Sequence, residues 1–160
     1  AGAKAFAEAL KVNRTLTSLG VGGCDILDEG TKFLAEALTV NTSLASLVIS
    51  FNEIADSGAI ALADALKVNR GLTSLDAHMN NISDAGAQAL AEALKVSRHL
   101  ARVNLNGLLV SAEGAQALAD ALLVNTAVVD VPFDKYSFFY RVSPSMLPKI
   151  KAAFSRNAYK

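Results

Sequence analysis

The sequence predicts a curved α/β solenoid, with a parallel sheet on the concave side and helices on the convex side. Two observations carry this reading. Independent residue series recur in phase at one interval, and within that interval the apolar spacing switches between the helical and the strand period. Glycine stands at Gly2, Gly30, Gly58, Gly86 and Gly114, always 28 residues apart. Leucine keeps the same step at Leu10, Leu38, Leu66, Leu94 and Leu122, and again at Leu16, Leu44, Leu72 and Leu100, with Val128 closing that series. Asn13, Asn41, Asn69 and Asn125 form another series in which Ser97 fills the fourth place. Four series in phase define a tandem array, and such an array decides the fold before any single element does.

Each element of the unit follows from its residues. Leu44, Leu47 and Ile49 are apolar, and the last two alternate as on a strand with one buried face. Asp56-Ser57-Gly58 reads as a helix start, with Asp56 as the expected N-cap because its carboxylate accepts bonds from orphan amides. Asp28 and Asp84 hold the same place, and Ser111 is expected to serve where Ala112 replaces the aspartate. Ala61, Leu62, Ala65 and Leu66 fall at helical spacing. Glu8, Asp64 and Glu92 precede Lys11, Lys67 and Lys95 by three positions, so these pairs are expected on the outer helical face, contributing a few tenths of a kcal/mol each. A strand plus a helix cannot bury its own apolar face, so units must stack into one continuous core.

The run Leu-x-x-Leu-x-Ile-x-x-Asn-x-Ile from Leu44 to Ile54 resembles the leucine-rich repeat. The 28-residue unit, the helix from Gly86 to Leu94 and the Asn-Arg-x-Leu-Thr-Ser-Leu links at Asn13–Leu19 and Asn69–Leu75 resemble its ribonuclease-inhibitor subclass. That subclass also builds the repeat arms of NOD-like receptors. The resemblance implies a horseshoe whose job is protein recognition. It also implies that Asn52 and Asn80 form a structural ladder to the adjoining loops. Cys24 and Leu108 replace the asparagine in other units, so the ladder is expected to weaken at both ends, with Cys24 as a buried structural thiol.

Residues 1–133 are assigned to the repeats, the first incomplete, and residues 134–160 to a C-terminal cap. Val128, Val131 and Phe133 keep strand spacing, but Pro132 cannot donate to a ladder and belongs on an edge. Seven of the ten aromatics lie beyond position 132, and a closing helix is expected from Ser145 to Arg156. These aromatics read as a seal over the open core, the alternative being a docking patch. The other end opens directly on a repeat helix, from which the chain is expected to be a piece of a longer protein.

Composition narrows the function classes. Fifteen basic and fifteen acidic side chains give zero net charge, which argues against a nucleic-acid or anionic-membrane footprint. No apolar run approaches the roughly 20 residues of a bilayer span. Cys24 is the single cysteine, which suits a reducing, cytoplasmic setting, with a secreted effector as the alternative. The Asn-X-Ser/Thr sequences at Asn13, Asn41 and Asn81 read as by-products of the repeat. No Cys/His cluster has metal-site spacing, and no cofactor or small-molecule substrate is expected.

Positions between the strand leucines are expected to face the concavity in rows. The rows begin at Ser18, Gly20, Gly22 and Gly23. The candidate partner-binding residues are Val48, Ser50, Phe51, Asp76, His78, Met79, Arg102, Asn104 and Asn106. Phe51 and Met79 are large apolar groups flanked by Asp76, His78 and Arg102, the composition of an interface anchor; the alternative is that they tuck against the loop after the strand. Gly20, Gly22 and Gly23 offer little contact area, so a ligand is expected over the third to fifth units. Ser50, His78 and Asn106 imitate a nucleophilic triad in their order, and hydrolysis through Ser50 and His78 is the enzymatic alternative, although no oxyanion hole is apparent. The leading function is a protein-recognition module of a larger receptor, with the repeat region of a bacterial effector or adaptor as the alternative.

Overall fold

The computed structural model describes residues 2–132 and 135–159. Helix and strand alternate: α1 (Gly2–Val12), β1 (Ser18–Gly20), α2 (Leu27–Leu38), β2 (Ser46–Val48), α3 (Asp56–Val68), β3 (Ser74–Asp76), α4 (Asp84–Val96), β4 (Arg102–Asn104) and α5 (Ala112–Val124). A 3₁₀ turn at Phe138–Arg141 and a last helix, α6 (Met146–Ala158), follow. The strands form one parallel sheet in sequence order, β1-β2-β3-β4. Ser18, Ser46, Ser74 and Arg102 stand in register, as do Gly20, Val48, Asp76 and Asn104, so the first two of the expected rows are rows of the sheet, while the rows begun by Gly22 and Gly23 lie beyond the strand ends. Strands repeat at about 4.8 Å and helices at 8–10 Å; stacking both in one unit forces the curve, with the sheet inside.

The core is a single continuous cluster built from the recurring apolar positions. Leu44, Leu47, Ile49, Ile54, Leu62 and Leu72 are buried, and their counterparts repeat along the array. Alanines at Ala59, Ala63, Ala87 and Ala91 are buried as well, and their small size lets each helix approach the next closely. Lys11, Lys67 and Lys95 bond Glu8, Asp64 and Glu92 at 2.8, 2.8 and 2.6 Å on the outer face.

Two asparagine series stitch neighbouring units together. Asn52 accepts from the amides of Cys24 and Ile26 and donates to the carbonyls of Val21 and Ser50. Asn80 does the same one unit later, accepting from Asn52 and Ile54 and donating to Ile49 and Ala77. At the next position Leu108 is simply buried. The second series sits at the helix-to-strand links. Asn69 donates to Leu38 and Asn41 of the preceding unit while accepting from Gly71 and Leu72 of its own. Asn41 and Asn125 repeat this pattern. Asn41 is fully buried, which removes it as a glycan acceptor.

The aspartates at the helix starts do something other than expected. Asp56 is the first residue of α3 and does not cap it. Its carboxylate reaches into the next unit, where it accepts from the Ser83 amide and hydroxyl and from the Gly86 amide at the start of α4. Asp84 makes the same bonds to Ser111 and Gly114, and Asp28 takes the Ala55 amide and the Ser57 hydroxyl. Each aspartate thus caps its neighbour's helix. This explains the glycine series: a Cβ at Gly58 would stand 2.6 Å from Asp28 Oδ1, and one at Gly86 2.7 Å from Asp56 Oδ1. Ser111 does cap α5, accepting from the Glu113 amide.

At the C-terminal end, Pro132 ends the regular sheet: beyond β4 the described residues add an isolated bridge between Arg102 and Asp130. The expected strand residue Phe133, with Asp134, lies outside the described residues. The helix α6 spans Met146–Ala158, close to the expected extent, and buries Ile150, Ala153 and Phe154. Asn157 donates to the carbonyls of Asn125 and Val128, repeating the link asparagine's role after a 32-residue step.

Candidate protein-binding surface

The turn that follows each strand sets the site. Gly23, Phe51, Met79 and Gly107 occupy equivalent positions with φ of 63°, 54°, 53° and 68°. The ladder enforces this left-handed backbone. The amides of Gly23, Phe51 and Met79 donate to the carbonyls of Ser50, His78 and Asn106 in the following unit, and Gly107 donates to Tyr136. Glycine adopts such a backbone without penalty, whereas a residue with a Cβ pays about 1–2 kcal/mol. Phe51 and Met79 therefore hold strained backbone where the flanking units use glycine.

Their side chains form a strip along the rim of the sheet. Phe51 is 53% exposed and meets the His78 ring edge-on, with centroids 4.8 Å apart. The Met79 side chain lies across the next unit, where a Cβ at Gly107 would strike its Sδ. Asp76 Oδ1 stands 2.5 Å from His78 Nδ1 and accepts the His78 amide as well, which fixes the imidazole against Phe51. Both Asp76 and His78 remain about a third exposed (30% and 27%). Val48 and Asn104 are half-buried on the sheet, and Arg102 is exposed.

Two expected contact residues are placed differently. Ser50 and Asn106 are buried, at 6% and 2% exposure, because the chain turns inward after the strand. Ser50 lies beneath Gly22, where a Cβ would sit 3.0 Å from its hydroxyl. The Asn106 amide donates to Pro132 and its Oδ1 is buried without a partner among the described residues. The Ser-His-Asn row is consequently not assembled as a triad: His78 Nδ1 faces Asp76, and among the described residues no hydroxyl bonds its other nitrogen. Cys24 is also corrected. Its thiol is exposed, the Asn52 side-chain Oδ1 taking the Cys24 backbone amide while the side chain stays outside the core.

Sequence reasoning passed over two features. Val12, Val68, Val96 and Val124 end α1, α3, α4 and α5 and Val40 follows α2 by two residues; in chain order the five are 78, 54, 57, 53 and 59% exposed, an aliphatic row on the edge opposite the strip that the 28-residue step would have found. The zero net charge also hid an asymmetry. Residues 135–160 carry six basic side chains and no acidic one, which leaves nine basic against fifteen acidic in residues 1–134.

Among the described residues no group of His, Cys, Asp and Glu is arranged to hold a metal ion, and no helix is long and apolar enough to cross a membrane. The Asp56 carboxyl is pushed up by burial, yet the Ser83 hydroxyl and amide and the Gly86 amide hold it below the ordinary range. Asp84 is held low by the Ser111 hydroxyl and by the Ser111 and Gly114 amides.

This geometry is that of a leucine-rich-repeat solenoid. The Leucine Rich repeat family model matches residues 12–35, 40–63 and 68–91. Among solved structures, the leiomodin-1 actin-binding site 2 is similar with a TM-score of 0.84 at 23% identity, covering 96% of this chain and 87% of that one. The tropomodulin C-terminal domain of Caenorhabditis elegans has a TM-score of 0.83 at 14% identity, with coverages of 99% and 95%. No curated protein matches the chain in sequence. At these identities the likeness is one of fold.

Proposed function

We propose that this chain is a protein-recognition module, of the ribonuclease-inhibitor subclass in its 28-residue units, with residues 1–133 as repeats and 134–160 as closing cap. It takes its partner along the strip of Phe51, His78 and Met79, with Val48, Asp76, Arg102 and Asn104 as flanking contacts. The observation that carries this reading is that, of the left-handed residues Asp25, Leu27, Phe51, Glu53 and Met79, Phe51 and Met79 stand at the position where the flanking units use glycine. Outliers of this kind cost about 1–3 kcal/mol each and cluster where function requires them. Glycine at both places would release the strain without disturbing the amide ladder, so the ladder does not require these side chains. Arrayed on a rigid frame, two apolar anchors ringed by Asp76, His78 and Arg102 have the make-up of an interface hot spot.

Actin is the partner to try first, because the leiomodin-1 domain of the same fold is described as an actin-binding site. The module reading does not depend on that choice; it equally fits the sensing arm of a receptor or the partner-binding part of an effector. The test is to replace Phe51, Met79 and Arg102 by Ala and to measure binding to purified actin and capture of proteins from lysate. Loss of a partner held by the unmodified protein is the expected result. Capture unchanged in the triple variant would move the site to the convex helices or the cap.

A further inference from the structure

The C-terminal cap is a basic, tyrosine-bearing surface mounted on an acidic body. Across residues 134–160, Lys135, Arg141, Lys149, Lys151, Arg156 and Lys160 stand against a single carboxylate, Asp134. Arg156 is engaged structurally, donating to the Asn125 carbonyl. Lys135 lies over the Tyr136 ring at 4.8 Å. Among the described residues no carboxylate comes within 4.0 Å of Lys135, Arg141 or Lys149. By contrast, Lys11, Lys32, Lys67 and Lys95 of the repeats all have acidic neighbours. Four of the five repeat lysines are thus neutralised locally, Lys4 lying instead over the Phe33 ring, whereas Lys135, Arg141 and Lys149 have no such neighbour among the described residues.

These cations border an open cavity of about 370 Å³ where the cap meets the last repeats. Met79 and Leu108 form its apolar side, and Lys135, Tyr136, Tyr140 and Arg141 its polar rim. Tyr136 and Tyr140 are 51% and 76% exposed. The hollow is open to solvent, so it takes side chains of a larger partner rather than enclosing a whole small ligand. We propose that this surface docks an acidic polypeptide segment, whose carboxylates meet Lys135 and Arg141 while an aromatic or aliphatic side chain enters the hollow beside Met79 and Tyr140. A polyphosphate is disfavoured because it carries no apolar group to fill the hollow against Met79 and Leu108, whereas a polypeptide brings carboxylates and apolar side chains together. A bilayer finds no apolar helix face here, since Ile150, Ala153 and Phe154 of α6 are buried in the core. The surface adjoins the strip at Met79, but the argument for it stands on charge and does not require the strip to bind anything.

The probe is a short fluorescein-labelled peptide of glutamates flanking a Phe-Leu pair, followed by anisotropy. Parallel arms use a lysine peptide of the same length, single-stranded DNA, and vesicles containing phosphatidylserine. The glutamate peptide should bind at low ionic strength and weaken as salt rises. Lys135→Ala with Arg141→Ala should weaken it roughly three- to tenfold, and Tyr140→Ala should also weaken it, whereas Phe51→Ala should leave it unchanged. The substituted side chains are exposed, so the variants should keep the far-ultraviolet circular dichroism of the unmodified protein. The salt titration of the unmodified protein stands apart from any variant. No binding of the glutamate peptide at low salt, salt-independent binding, equal binding by the cap variants, or tighter binding of DNA or vesicles would each overturn the proposal. Peptide binding that persists in Phe51→Ala, with lost actin or lysate capture, would separate this surface from the strip.

Discussion

Asp56 does not close the helix that it begins; its carboxylate closes the next one, through the Ser83 amide and hydroxyl and the Gly86 amide. Hydrogen bonds of this kind favour the charged form, so the folded pKa lies below the ordinary value even though burial opposes it. A carboxyl held low in the folded state contributes stability above the unfolded pKa of about 4, and loses that contribution as pH falls through the lower folded value. Acid unfolding should therefore steepen just below pH 4, and Asp56→Asn should flatten that limb while costing about 1 kcal/mol at neutral pH, the usual loss of an N-cap carboxylate. Denaturant unfolding of both proteins from pH 6 to pH 3 measures the difference. An unchanged pH profile in the variant would assign the acid limb to other carboxylates. The sequence placed these aspartates at helix starts correctly and chose the wrong helix. Their bonds cross between units, and a single-unit reading counts only local donors. The glycine two residues on held the clue, because Gly58, Gly86 and Gly114 each clear space for the preceding unit's aspartate.

At the scale of elements, the link between helix and strand matters as much as either. Asn69 is buried and bonds to Leu38, Asn41, Gly71 and Leu72. Asn69→Ala leaves two carbonyls and two amides without this partner, and at about 1–3 kcal/mol for each buried group left unmet the variant should lose at least about 4 kcal/mol. Asn13 accepts from Thr15 and Leu16 but crosses to no earlier unit, so Asn13→Ala should cost about 1 kcal/mol or less. Denaturant midpoints for the two variants test the contrast, and equal losses would contradict it. The helices and strands themselves were legible, since their apolar positions recur and burial follows recurrence. Two side chains were misjudged because a strand-period reading was carried past the strand. Ser50 and Asn106 follow the residues where the chain turns inward, so they are buried, and Cys24 is exposed although asparagine at its position is not. The left-handed turn at Phe51 and Met79 carries no local sequence signal of its own; only the glycines at Gly23 and Gly107, in register with them, betray it.

At the scale of the whole molecule, helices pack on their sequence neighbours from α1 through α6, and strands likewise from β1 through β4. Stability in such an array is a sum over neighbouring units, which frees individual turns to carry side chains that the fold does not require. The central claim is that Phe51 and Met79 are held in strained backbone for recognition and not for folding. The most direct measurement is the unfolding free energy of the double variant Phe51→Gly with Met79→Gly. Relief of about 1–2 kcal/mol of left-handed strain per residue should offset the lost Phe51–His78 contact and the Met79 packing. The variant should then be as stable as the unmodified protein or more so, with a weaker hold on its partner. A double variant destabilised by more than about 2 kcal/mol, against that expected strain relief, would show that the two side chains serve the fold, and would contradict the account.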